Sequence, residues 1–297
     1  MFSAPFVPTF EPPTDPASTP PAIPGTLFVV ATPIGNLGDI TLRAIEVLRG
    51  VDAILCEDTR HSRTLLTRHD IRVPTESLHE HNEAAATPRL LSRLAAGARF
   101  ALVSDAGTPV VSDPGARLVA AAIDAGIPVV PIPGASAVIT ALTASGLGGG
   151  AFTFVGFLER KGAGRREQLA LVSGLPHAAV LYEAPNRVGA TLAELVESGC
   201  GARRGVVARE LTKQHEEFRR GTVAELAEYY REVSPRGEIV RIIEGRGAAD
   251  EAGPNPGEVE HAVAAMRAEG LGARDVAQAL RDRFGLPRNE AYRIAHE

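Results

Sequence analysis

Short apolar runs give way to small, polar, Gly- and Pro-rich loops at three places in the first half of the chain. Leu27-Phe28-Val29-Val30 leads into Ala31-Thr32-Pro33-Ile34-Gly35-Asn36-Leu37-Gly38-Asp39, and Ala101-Leu102-Val103 leads into Ser104-Asp105-Ala106-Gly107-Thr108-Pro109 and on to Asp113-Pro114-Gly115. The third pair is Val129-Val130 with Pro131-Ile132-Pro133-Gly134-Ala135-Ser136. After the second loop, Ala116, Leu118, Val119, Ala122 and Ile123 recur at helical spacing. The pattern predicts strands at 26–31, 51–57, 99–104 and 127–131 with helices at 39–49, 61–69, 83–96, 115–125 and 135–144. That alternation is a mostly parallel sheet with helices on both faces, an arrangement that binds ligands at the strand-to-helix loops. Gly50, Gly97, Gly126 and Gly146 fall just past helical stretches, where a left-handed residue ends a helix.

Beyond the Gly146–Gly150 cluster the pattern changes to strands at 151–158, 178–184, 203–212, 215–221 and 237–244, with helices at 164–173, 186–198 and 223–232. The fold class is therefore α/β, with a first unit over 25–147 and a mixed α+β second unit over 148–245. Residues 246–257 are rich in Gly, Ala, Asp and Pro and read as a linker. Residues 258–297 read as a small helical domain: two helices joined by a turn at Gly285-Leu286-Pro287, as in a helix-turn-helix, or a plain three-helix cap. The eight prolines of residues 1–24 mark a disordered leader.

Composition narrows the class. Forty-four per cent hydrophobic and 23% charged residues suit a soluble globular enzyme. No apolar run is long enough for a signal or membrane segment. Two cysteines, Cys56 and Cys200, rule out a disulfide framework or zinc ribbon and fit a reducing cytoplasm. A net charge of -5 argues against a nucleic-acid coat but not against a local basic groove. The eight histidines are scattered, so no metal site is expected, and neither a P-loop, a Gly-x-Ser-x-Gly elbow nor a Gly-x-Gly-x-x-Gly follows a strand.

The loops are instead accompanied by Cys56-Glu57-Asp58-Thr59-Arg60-His61, His79-Glu80-His81-Asn82-Glu83 and Ala208-Arg209-Glu210-Leu211-Thr212-Lys213. Together, in this order over residues 25 to 245, these motifs closely resemble the ribosomal RNA small subunit methyltransferase I family of the tetrapyrrole methylase superfamily. The resemblance implies a two-domain tetrapyrrole-methylase-like fold, a homodimer, and S-adenosylmethionine held between the domains. It further implies 2′-O-methylation of a cytidine in the decoding region of bacterial 16S rRNA. By position, Pro33, Ile34, Asp105, Ala106, Thr108, Ala135 and Ser136 correspond to cofactor loops, with Phe157 and Tyr182 of the second domain closing the pocket.

For the chemistry, a hydroxyl must be aligned with the methyl and lose its proton. Glu57 or Glu210 is the expected base and Lys213 an electrostatic partner; Glu57-Asp58-Thr59-Arg60 reads equally as a helix N-cap with a surface ion pair. The expected RNA contacts are Arg60, His61, Arg63 and Arg209, with Lys161 and Arg165 on a flexible basic loop. His79–Glu83 reads as an RNA-contacting connection or a solvated turn, and Arg219-Arg220 as a charged turn. Two rival readings remain: a methylase acting on a tetrapyrrole carbon, and an inert RNA-binding assembly factor that keeps the pocket. The fold alone does not separate them.

Overall fold

The computed structural model describes residues 25–246, 256–268, 270–284 and 288–296. The proposed leader and most of the proposed linker lie outside the described residues. The first sheet contains β1 (Leu27–Val30), β2 (Ala53–Cys56), β3 (Thr75–Ser77), β4 (Phe100–Val103) and β5 (Val129–Ile132), all parallel, in the order β3-β2-β4-β1-β5. β2 and β4 are buried at every position, as expected for parallel strands covered on both faces. Alternate side chains divide between two cores. Leu27, Leu55, Phe100 and Leu102 pack with helices α3 (Glu83–Ala95) and α4 (Ala116–Asp124). Val30, Ile54, Ala101 and Val103 pack with α1 (Leu42–Gly50) and α2 (Thr59–Arg68).

The strand order creates the site. β1 and β4 are neighbours, yet β1 leads to α1 on one face and β4 leads to α4 on the other. Their loops must diverge, which opens a crevice at the carboxyl ends of the strands.

The second sheet, in the order β6-β7-β10-β8-β9, comprises β6 (Phe152–Phe157), β7 (Ala178–Glu183), β8 (Arg204–Arg209), β9 (Glu217–Thr222) and β10 (Ile239–Ile243). β6 and β7 are parallel and the remaining pairs antiparallel. One face is covered by α6 (Ala163–Gly174), α7 (Val188–Leu195) and α8 (Val223–Glu232). The other packs on α5 (Ala137–Ser145), whose Val138, Ala141 and Leu142 meet Val180, Val206, Val240 and Ile242. Helix α5 thus belongs to the first half by sequence and to both by packing. Arg220, expected in a charged turn, lies in β9 and donates to Ala144 O at 2.6 Å and Ser145 O at 3.3 Å, closing the carbonyl end of α5.

Three other expectations need correction. β3 was not foreseen: it is a three-residue polar edge strand without an apolar run. Gly50 lies within the last turn of α1 rather than beyond it, whereas Gly97, Gly126 and Gly146 do adopt left-handed φ. Among the described residues the C-terminal region has three helices, Pro256–Ala268, Ala273–Phe284 and Arg288–His296, around Val276, Ala277, Leu280 and Ala291, as in the three-helix cap, and what changes is its start, since the first helix begins within the stretch read as linker.

Candidate active site

The three glycine-rich loops are bonded into one surface. Thr32 and Gly107 exchange backbone hydrogen bonds of 2.8 and 3.1 Å, and Thr32 Oγ1 donates to Ser104 O at 3.1 Å. Thr108 Oγ1 donates to Ala135 O at 3.1 Å, which ties the second loop to the third. Gly134 has no room for a side chain: a Cβ there would stand 2.9 Å from that of Ala31.

Opposite these loops stands the second sheet. Its wall is made by Phe157, Tyr182–Pro185, Leu211 and Gly237–Val240, and the cleft between the two has a volume of about 390 Å³. A β-bulge between Phe154 and Gly156, with Gly156 at φ 75°, re-aims the end of β6 so that Phe157 projects into the cleft beside Tyr182, with ring centres 5.4 Å apart. Glu183 closes the floor. Its buried carboxylate accepts from Arg241 Nη2 at 2.9 Å, Thr191 Oγ1 at 2.7 Å and Ala184 N at 3.0 Å. Arg241 is itself completely buried in the central strand, and loss of hydration brings its guanidinium down to about 10 despite the Glu183 charge.

Carboxylates gather at the first-domain side. Asp105 Oδ1 accepts from Asp58 N at 3.1 Å, so Asp105 reaches across to the start of α2 rather than closing a turn on itself. Asp113 lines the cleft on a loop whose Val110 and Ser112 have left-handed φ of 73° and 67°, a strain of roughly 1–3 kcal/mol each. Burial, the Glu57 charge and the Asp105 charge raise the Asp113 carboxyl to about 6, with the Ser104 hydroxyl opposing. Glu57 is raised as well, by burial and then by Asp105.

A second compartment of about 290 Å³ adjoins the first, and Ile34, Asp105, Ala106 and Glu238 line both. Its far side is α2 and Lys213. The ammonium of Lys213 lies 2.9 Å from Glu210 Oε1 and 3.2 Å from Glu238 Oε2. Burial opposes its charge, but the two carboxylates outweigh that and lift its pKa, so it stays cationic at neutral pH.

The tetrapyrrole (corrin/porphyrin) methylase family model matches residues 26–227. Curated relatives named "Ribosomal RNA small subunit methyltransferase I" include one from Mesorhizobium japonicum, 46% identical over 82% of each chain. Another, from a Synechocystis species, is 44% identical over 92% of this chain and 98% of its own. The chain belongs to the ribosomal RNA small subunit methyltransferase I family of tetrapyrrole methylases. Among solved structures, the fold is similar to uroporphyrin-III C-methyl transferase from Thermus thermophilus complexed with S-adenosyl homocysteine (TM-score 0.54, 19% identity, 74% of this chain and 97% of that one). It is also similar to diphthine synthase (TM-score 0.58, 15% identity, 74% and 89%).

Of the residues that the family resemblance singles out, Ile34, Asp105, Ala106, Thr108, Ser136, Phe157 and Tyr182 line the main cleft. Pro33, His61 and Lys213 line the second compartment, and Ala135 contributes its carbonyl to Thr108. Glu57 follows the end of β2 and lines neither space. Glu210 also lines neither: it accepts from Lys213 at 2.9 Å and Glu238 N at 3.0 Å, and the Lys213 bond holds its carboxyl below the usual range. Asp58 caps α2 and pairs with Arg60 at 2.7 Å on the surface, the bland reading of that motif.

Arg165 is not on a flexible loop. It lies in α6, buried, donating to Glu194 Oε2 at 2.8 Å, Glu159 O at 2.8 Å and Thr191 Oγ1 at 2.9 Å, so it extends the Glu183 network and offers nothing to RNA. Arg209 pairs with Glu217 at 2.7 Å outside both compartments. Lys161 and Arg63 are solvent-exposed. The histidine cluster is a turn leading into α3, with Asn82 Oδ1 accepting from His79 N at 2.8 Å. Residues not foreseen are Asp113, Glu183 and Glu238.

Proposed function

We propose that the protein transfers the methyl group of S-adenosylmethionine to the 2′ hydroxyl of a cytidine in 16S rRNA, acting as a homodimer in the cytoplasm. The observation that carries this reading is the identity of 44–46% to small subunit methyltransferase I relatives over 82–98% of their lengths. The cleft suits the cofactor's parts. Ser136 and the N-terminus of α5 offer amides to a carboxylate, Asp105 offers a counter-charge to an ammonium, and Phe157, Tyr182 and Val240 offer an apolar slot. When bound, S-adenosylmethionine supplies an electrophilic methyl on a sulfonium, which leaves as a neutral thioether.

The chain's own residues align the acceptor and handle its proton. As the oxygen–carbon bond forms, the hydroxyl proton passes to the cleft-lining carboxylates Asp105 and Asp113, and Lys213 steadies the oxygen's developing negative charge. The Glu57 charge acts on the Asp113 carboxyl from behind this lining, adding to burial in holding a proton there more readily than on an isolated carboxyl.

The pH dependence tests this. Methyl transfer should rise with an acidic limb centred near the Asp113 value of about 6. Asp113→Asn should remove that limb and lower turnover roughly 10²-fold or more. Its stability should change in the opposite sense. A carboxyl raised in the native state costs stability once pH climbs from its unfolded value through its folded one. Asp113→Asn should therefore match the parent near pH 3.5 and exceed it at pH 7.5 by about 1 kcal/mol, after allowance for partial exposure. An unchanged pH profile would remove Asp113 from the mechanism.

A further inference from the structure

We infer that the smaller compartment, between α2 and the Ile34–Asp105–Ala106 wall, receives the acceptor nucleoside swung out of its RNA strand. The inference rests on the ribose-methylation reading and adds where the substrate binds. The two compartments share one wall, and Asp105 and Glu238 are the charged residues common to both. A donor on one side of such a wall and an acceptor on the other meet at its edge, which is the geometry an in-line transfer requires.

Size and chemistry agree. A compartment of about 290 Å³ takes a single nucleoside and excludes its stacked neighbours. A ribose still in its stack is hemmed in by adjoining sugars and bases, so this compartment requires the nucleotide to leave the stack, as base-modifying enzymes require. The lining provides apolar faces at Pro33, Leu37 and Leu65 and polar atoms at His61, Ser62 and Lys213. Ser62 Oγ is buried, the residue being only 6% exposed, and interacts with the Cys56 thiol, which leaves hydrogen-bonding capacity for a base edge or sugar hydroxyl.

The face of α2 turned away from the compartment is basic. Arg63 is exposed there, and Arg60 is 86% exposed in its pair with Asp58, a contact that solvent and phosphate readily exchange. Phosphates flanking the extruded nucleotide would lie against this helix while the nucleoside occupies the space behind it. Affinity for RNA and positioning of the acceptor therefore belong to opposite sides of one helix.

Filling the compartment from its exposed rim separates these roles. Thr64→Phe and His61→Trp both place an aromatic ring at the entrance on solvent-facing positions of α2. The measurements are S-adenosylhomocysteine binding by calorimetry, and kcat and KM on small ribosomal subunits lacking ribose methylation. A third readout is the fluorescence of pyrrolocytidine, an analogue that brightens on unstacking, placed at the target position. Both variants should bind S-adenosylhomocysteine as the parent does, keep KM within a few-fold, lose kcat by about 100-fold, and fail to brighten the analogue. Parent-like kcat and brightening in both variants would overturn the compartment assignment while leaving ribose methylation intact. A parent enzyme that binds S-adenosylhomocysteine yet methylates no ribose would overturn both.

Discussion

Glu183→Ala should be the most destabilising single change near the site, by about 3–5 kcal/mol, because it strands a buried guanidinium. Arg241 and Glu183 both have fully buried side chains, and Arg241 has no solvent route to replace the lost carboxylate. Arg241 Nε and Nη1 already lack partners, so Nη2 carries the whole compensation for burial. Thr191 and the Ala184 amide would lose their acceptor at the same time. Thermal unfolding should show a midpoint lowered by roughly 10 °C. The double variant with Arg241→Met should recover part of the loss, since removing both charges costs less than removing one. A single variant within about 1 kcal/mol of the parent would mean that the pair is not isolated from water. Because Glu183 also forms the cleft floor, S-adenosylhomocysteine affinity should fall with stability.

The second large effect falls on turnover with stability preserved. Lys213→Met keeps the stem and deletes the charge, and kcat should drop by about 10²- to 10³-fold, the usual cost of one electrostatic donor at a developing oxyanion. S-adenosylhomocysteine affinity should stay near the parent value, since Lys213 lines the second compartment and not the main cleft. Glu210→Gln should act more mildly. It weakens the hold on Lys213 but leaves Glu238, 3.2 Å from the ammonium, in place. Equal losses in the two variants, with kcat and affinity falling together, would point to a disordered loop in place of a missing charge.

Much of the site was legible in the sequence because it sits at the carboxyl ends of parallel strands. There a strand must run into a tight loop, and Gly and Pro mark the place, as at Ala31–Gly35, Ser104–Pro109 and Pro131–Gly134. Glu238 carries no such mark. It stands at the start of β10, which reaches the cleft because it runs antiparallel to β7, and pairing direction is not written in an apolar run. Asp113 was visible as a loop residue. What aims it at the cleft is left-handed backbone at Val110 and Ser112, conformations that neither residue type advertises.

Arg165 was misjudged from its company, Arg160-Lys161 and Arg165-Arg166, which suggests a solvated basic loop. Yet Arg165, Leu169 and Val172 lie at helical spacing on one stripe, and that stripe faces the core. A charge falling on an apolar stripe is a sequence sign of a buried ion pair. The three-residue β3 had no sign at all, since its side chains are polar and its pairing depends wholly on the exposed flank of β2.

The central claim is that this site methylates a cytidine ribose in the small-subunit RNA. The direct measurement is incubation with labelled S-adenosylmethionine and small ribosomal subunits lacking their ribose methylations, followed by nuclease digestion and mass spectrometry of the product. The account predicts label in 2′-O-methylcytidine at a single position. Label on a base, or no transfer by protein that binds S-adenosylhomocysteine, would contradict it.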